Sequence, residues 1–182
     1  AFSADQVFVF LNDGSGAFVQ LAPVSLPSNF APRGIAAGTF GNSVTTPCVA
    51  AASGLDDRVV FLDNNGFGVL SVPGNGVVTL GVFASAFDVV GGEFDASGAG
   101  NEDALTSDWA GSACDFPFLN DTMSVLRNEG TFAFDVTQST GGCGDFPRSF
   151  GSIAKGRFQG TGDNDIVGSE ECRAFLDVVL GD

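Results

Sequence analysis

Three hexads in this chain share one spelling. Ile35-Ala36-Ala37-Gly38-Thr39-Phe40 returns as Val89-Val90-Gly91-Gly92-Glu93-Phe94 and again as Ile153-Ala154-Lys155-Gly156-Arg157-Phe158. A second pattern alternates with them, an aliphatic run closing on Leu and an Asn or Asp: Phe10-Leu11-Asn12-Asp13, Phe61-Leu62-Asp63-Asn64, Val125-Leu126-Arg127-Asn128 and Val179-Leu180-Gly181-Asp182. Repetition at this spacing is the mark of arrays in which each unit is one small sheet that buries its faces only by stacking on its neighbours. A Gly-x-Phe triplet alone would mean little in a chain with 26 Gly and 19 Phe. What counts is the order: each hexad has a β-branched residue three before its Gly and is followed by a polar loop, a short apolar run and the Leu-Asn/Asp pattern.

No helix-length apolar stripe is visible, and short β-branched and Phe-rich runs separated by Gly, Asn, Asp and Ser read as an all-β chain. The 22 acidic and 7 basic residues give a net charge of -15. That balance repels phosphate backbones and argues against a nucleic-acid partner. No apolar run approaches the roughly 20 residues that span a bilayer, so membrane insertion is not expected. With no initiator Met and no signal segment, the chain reads as a piece of a longer one.

The four cysteines, Cys48, Cys114, Cys143 and Cys172, form no CxxC, and no His is present to complete a zinc site. Cys114 and Cys143 each lie beside an Asp-Phe-Pro in a polar loop, which predicts a disulfide between them and an oxidising, extracellular or cell-surface compartment. Cys48 lies in an apolar run and fits a buried thiol; any pairing of Cys48 with Cys172 stays open.

Along the chain, residues 1–33 read as the closing hairpin of a first unit plus a Pro-rich connection, with a turn at Asn12-Asp13-Gly14-Ser15-Gly16. Residues 34–86 form the first repeat, with an additional hairpin predicted at Pro73-Gly74-Asn75-Gly76. Residues 87–151 form the second, carrying an insertion at 108–122, and residues 152–182 form the third, which breaks off before its last strand.

The hexads and turns resemble the FG-GAP or VCBS repeat family, the blades of integrin-type β-propellers. The third unit carries the fullest match, Ile153-Ala154-Lys155-Gly156-Arg157-Phe158-Gln159-Gly160-Thr161-Gly162-Asp163-Asn164-Asp165-Ile166-Val167, and the hairpin half is matched by residues 9–18 and 125–132. The resemblance implies blades of four antiparallel strands, about three repeats, within a larger propeller or assembly. It also implies calcium held by loop oxygens at alternate positions. Only the second unit keeps such donors, Glu93, Asp95, Ser97 and Asp103; the alternative there is a turn whose Asp and Ser bond their own backbone.

The insertion offers Asp108 and Trp109, the only Trp, as a ligand-binding pair of lectin type, with Trp109 as a stacking platform. The competing reading makes Trp109 a plug over the loop held by Cys114. Asp108, Asp115 and Asp121 would be the carboxylates of a glycoside-active enzyme, since a chain without His or Tyr must do acid and base work with carboxylates. The sequence thus reads as a non-enzymatic, extracellular adhesive or structural module, extended into a ring or filament by other copies or by the rest of its own chain, with glycans as further partners.

Overall fold

The computed structural model describes residues 5–41, 45–81, 85–94, 101–109, 122–130, 132–140, 150–157, 164–170 and 176–179, which contain strands and no helix. No helix among them is long and apolar enough to cross a membrane. A first hairpin combines β1 (Gln6–Val7) and β2 (Phe10–Asn12) with β3 (Phe18–Gln20) and β4 (Val24–Ser25). Here β2 pairs β3 and β1 pairs β4, and the Leu21 N–H donates to the Val9 carbonyl between the two ladders. The first blade is β5 (Pro32–Gly38), β6 (Cys48–Ser53), β7 (Arg58–Asn64) and an outer strand in two pieces, β8 (Leu70–Ser71) and β9 (Val77–Thr79), both paired to β7. The second is an unbroken antiparallel meander, β10 (Ser85–Gly92), β11 (Asp103–Trp109), β12 (Thr122–Asn128) and β13 (Phe134–Thr140). The third contributes β14 (Phe150–Gly156), β15 (Asp165–Glu170) and β16 (Leu176–Val179).

The middle strands of the blades bury both faces, and the period of two sorts their side chains between neighbours. From the first blade, Ala50, Ala52, Val59 and Phe61 face the second blade's Val89, Ala104 and Leu126, with Phe40 and Phe132 in the same cluster. Their neighbours in sequence, Ala51, Val60 and Leu62, face Val7, Leu26 and Phe30 of the hairpin side. Leu105 and Met123 turn the other way and meet Ile153 and Ile166 of the third blade. Phe61 sits at the centre, stacked on Phe134 at 4.0 Å and edge-on to Phe40 at 5.2 Å.

Residues 73–76 do not make the additional hairpin expected from Pro-Gly-Asn-Gly. They form one turn, with the Gly76 N–H donating to the Pro73 carbonyl at 2.9 Å, that bulges out of a single outer strand and rejoins β7 where the Gly76 carbonyl accepts the Phe61 N–H at 2.7 Å. Proline cannot donate to a ladder, so the strand breaks there and resumes.

A candidate anion site where the inner strands bulge

The repeated turn is the same turn three times. Asn12 stands opposite Phe18, Asn64 opposite Leu70 and Asn128 opposite Phe134. In each, the Asn side-chain oxygen accepts the N–H of the Gly two residues on, Gly14, Gly66 or Gly130, which is left-handed at φ 85, 87 or 103. This is an Asx turn whose Gly supplies the positive φ. The equivalence places Phe10, Leu62 and Leu126 in register, one residue away from the Leu-to-Leu matching of the sequence pattern.

At the hexad end each blade stitches itself to the one before. Glu102 precedes β11, and its Oε2 accepts the Thr39 N–H at 2.7 Å while Oε1 lies 3.2 Å from the Lys155 ammonium. Asn128 Nδ2 donates to the carbonyls of Phe40 and Glu102 at 2.9 and 3.1 Å. Asn164 Nδ2 donates to the Glu93 carbonyl at 2.9 Å. The hexad Gly follows from this: a Cβ on Gly38 would lie 2.6 Å from Glu102 Oε2 and 2.7 Å from the Phe40 ring. Glu102 and Asn128 reach across sequence gaps that no local pattern reveals.

The residue opening each second strand is buried at this junction: Cys48, Asp103 and Asp165, opposite Gly38, Gly92 and Gly156. Asp103 Oδ2 accepts the Phe94 N–H at 2.9 Å and Oδ1 accepts the Asn128 N–H at 2.8 Å. Of the four residues expected at a calcium loop, Asp103 is therefore a backbone acceptor and Glu93 lends its carbonyl to Asn164, while Asp95 and Ser97 lie outside the described residues. Among the described residues no three His, Cys, Asp or Glu stand close enough to hold a metal ion. Cys48 takes the same place in the first blade as a free buried thiol. Burial pushes it up from its ordinary value and the neighbouring Asp63, with Oδ1 at 3.6 Å, adds to the rise, while hydrogen bonds from the Asn64 and Gly41 backbone pull the other way. Cys114, Cys143 and Cys172 lie outside the described residues, and with them the expected disulfide.

Asp108 is 1% exposed and accepts hydrogen bonds from Thr106 Oγ1 at 2.7 Å and Ser124 Oγ at 2.5 Å. A carboxylate so enclosed cannot meet a glycan hydroxyl as the lectin reading required. Trp109 closes β11, and its side chain lies outside what is described, as do Asp115 and Asp121.

The opposite end of the inner strands carries the candidate site. All three are bulged at the same point, between Pro32 and Ile35, Ala86 and Asp88, and Phe150 and Ser152. Such a bulge re-aims side chains at the rim of a sheet. The strands β5, β10 and β14 lie side by side, and in propellers such first strands surround the central channel. Arg33 at the first bulge is exposed, with its guanidinium carbon 4.8 Å from the ring centre of Phe87 at the second. Asp88 follows, half-buried, its Oδ2 accepting the Ile153 N–H of the third blade at 3.1 Å and its Oδ1 the Val89 N–H at 2.9 Å. Gly34 lets these strands close up: a Cβ there would lie 2.6 Å from Asp88 Cα.

Charge and ring contact together mark Arg33. Among the described residues Arg58 pairs with Asp56, Arg127 with Asp135 and Lys155 with Glu102, whereas Arg33 and Arg157 have no carboxylate partner, and of these two Arg33 lies over an aromatic ring. In a chain of net charge -15 a cation held unpaired over an aromatic ring is a prepared seat for an anion. The sequence reading missed it because Arg33 lies at the end of a Pro-rich connection.

No family model and no curated protein matches the chain. Among solved structures it is similar to a candidate 6-phosphogluconolactonase from Bacteroides uniformis ATCC 8492, with TM-score 0.54 and 15% identity over 97% of this chain and 48% of that one. It is also similar to a protein from Lactobacillus plantarum, with TM-score 0.52 and 16% identity over 98% and 49%. The chain thus spans about half the length of the structures it matches.

These findings overturn the FG-GAP or VCBS resemblance. No model of that family matches, and the junction carboxylate of Asp103 that would serve its calcium is engaged by backbone N–H groups. The readings of an adhesive module and a filament fall with it, and so does the extracellular or cell-surface setting, which the solved structures that share the fold do not support. The non-enzymatic reading falls too, because a structure sharing the fold over nearly the whole chain is described as an enzyme. What the likeness establishes is the fold, an all-β chain of propeller-type blades.

Proposed function

We propose that this chain is part of a β-propeller hydrolase that opens small anionic sugar lactones, with the bulged ends of β5 and β10 as its site. The observation that carries the reading is the grouping of unpaired Arg33, the Phe87 ring and the Asp88 carboxylate on adjacent inner strands. The likeness to a structure described as a candidate 6-phosphogluconolactonase supplies the reaction class.

Arg33 binds the anionic group of the substrate, and Phe87 holds the guanidinium in place from behind. Lactone hydrolysis needs a water activated beside an ester carbonyl. Of the groups this chain brings to the bulged ends, the Asp88 carboxylate is the one that can take the proton. Asp88 suits that role because each of its oxygens accepts one backbone N–H and keeps a lone pair for a water. Water oxygen attacks the carbonyl carbon as Asp88 receives its proton, the bond from that carbon to the ring oxygen breaks, and the ring oxygen takes the proton back to leave as a hydroxyl. The product is a hydroxy acid, and Asp88 is restored.

The test is release of acid from 6-phosphogluconolactone in the presence of the protein carrying this chain, corrected for spontaneous opening. Saturable acceleration is expected. Asp88→Asn should lower kcat by about 10²-fold or more, the range of general base catalysis. No acceleration over buffer by a folded protein would refute the reading.

A further inference from the structure

We infer that Gly54 is a positioning residue of the anion site: its bare Cα is the seat on which the Arg33 side chain lies, and it holds the guanidinium over the Phe87 ring. The seat stands on geometry alone, and the identity of the anion rests on the lactone reading above.

Gly54 begins the loop between β6 and β7, beside the bulge of β5, since Ser53 is the residue paired with Pro32. A Cβ added there would lie 2.5 Å from Arg33 Cδ and Nε and 2.6 Å from Cγ. Those atoms are the middle of the side chain, so a methyl group at position 54 cannot be met by a small turn of the guanidinium. The whole arm would swing away. Gly14, Gly66 and Gly130 serve their turns through a positive φ, and Gly54 has none. What the glycine provides here is therefore a close approach and not a backbone conformation.

The loop is braced and cannot yield in place of the arm. The Gly54 N–H donates to the Ala31 carbonyl at 3.0 Å. Ser53, wholly buried, donates its hydroxyl to the Phe30 carbonyl and accepts the N–H groups of Leu55 and Asp56 at 3.3 and 3.0 Å. With the Phe87 ring centre 4.8 Å from the guanidinium carbon on the other side, Arg33 is gripped between two blades. The repeat shows that the seat goes with the cation. Pro32 opposite Ser53 corresponds to Ala86 opposite Asp108, which puts Phe87 in the place of Arg33 and Trp109 in that of Gly54. Where no long cationic arm crosses, the same place carries the largest side chain in the chain. A guanidinium fixed in this way loses less freedom when it takes an anion.

Gly54→Ala, Arg33→Ala and the double variant test the seat in the protein carrying this chain, through kcat and KM for 6-phosphogluconolactone and gluconolactone and, without catalysis, through the binding of inorganic phosphate. Gly54→Ala should raise KM for the phosphorylated lactone about fivefold or more and weaken phosphate binding to a like degree, with a much smaller change on gluconolactone. In the Arg33→Ala background the same substitution should do nothing further, and any melting temperature it loses alone should be regained there, because the arm it collides with is gone. That comparison decides the matter even where Gly54→Ala by itself does not fold. Phosphate bound as tightly by folded Gly54→Ala as by the wild type, equal loss on both lactones, or a loss that persists in full in the Arg33→Ala background would each overturn the seat. A wild type that binds phosphate and opens no lactone would refute the lactone reading and leave the seat standing; one that does neither would overturn both.

Discussion

Cys48 shows how one side chain can vary while its place in the repeat is kept. Its counterparts Asp103 and Asp165 open the second strands of the later blades, and the Asp103 oxygens hold two backbone N–H groups across the junction. Such charge-assisted bonds in a buried place contribute about 1.5–3 kcal/mol each. A thiol is a weaker acceptor, and it resists ionisation there: burial raises it above its ordinary 9.0. Between that value and the raised one the folded chain keeps a proton that the unfolded chain has released. Stability is then full below about pH 9 and declines as pH climbs above it. Thermal melting from neutral to alkaline pH should show this decline in the wild type and a shallower one in Cys48→Ala. Equal slopes would mean that the thiol has no part in it. The contrast isolates Cys48 because the other three Cys and the single Lys titrate alike in the wild type and in Cys48→Ala, and no Tyr is present.

Turns and inner strands were written plainly in the sequence, and the joints between them were not. Asn-x-Gly between apolar runs specifies a hairpin locally, and the three turns hold five residues each between their paired ends. The hexads fall on β5, β10 and β14 for a similar reason: β-branched and small residues favour a strand that packs closely on its neighbours, although in β5 only one face is buried and Arg33, Ile35 and Ala37 on the other are exposed. Glu102 reaching Thr39 and Asn128 reaching Phe40 depend on which blade lies next to which, and composition cannot say that. At the expected calcium loop the Asp103 oxygens accept backbone N–H groups, and in sequence an Asp beside a Gly-rich loop looks alike whether its oxygens face an ion or the backbone. The bulges were equally hidden, because one extra residue in a strand leaves no spelling. The turn itself can be tested at Gly66, where φ is 87 and nothing lies within 4 Å of an added Cβ. Gly66→Ala should therefore cost about 1–2 kcal/mol through backbone strain alone. Chemical denaturation measures it, and an unchanged midpoint would mean that the turn does not hold its left-handed residue.

Across the whole molecule, the stacking of blades makes the site, since Arg33 belongs to one blade, Phe87 and Asp88 to the next, and the N–H that positions Asp88 to a third. No single repeat contains it, which is why a chain so legible as an array said so little about chemistry. If this shared rim binds the anionic group of a lactone, Arg33 must be what distinguishes a charged substrate from a neutral one. The comparison to make is kcat/KM for 6-phosphogluconolactone and for the unphosphorylated gluconolactone in the wild type and in Arg33→Ala. A clear preference for the phosphorylated lactone should shrink about tenfold or more in the variant, the equivalent of about 1.4 kcal/mol, carried by KM. Equal loss on both lactones, or a preference that survives without Arg33, would show that the anion is not held there.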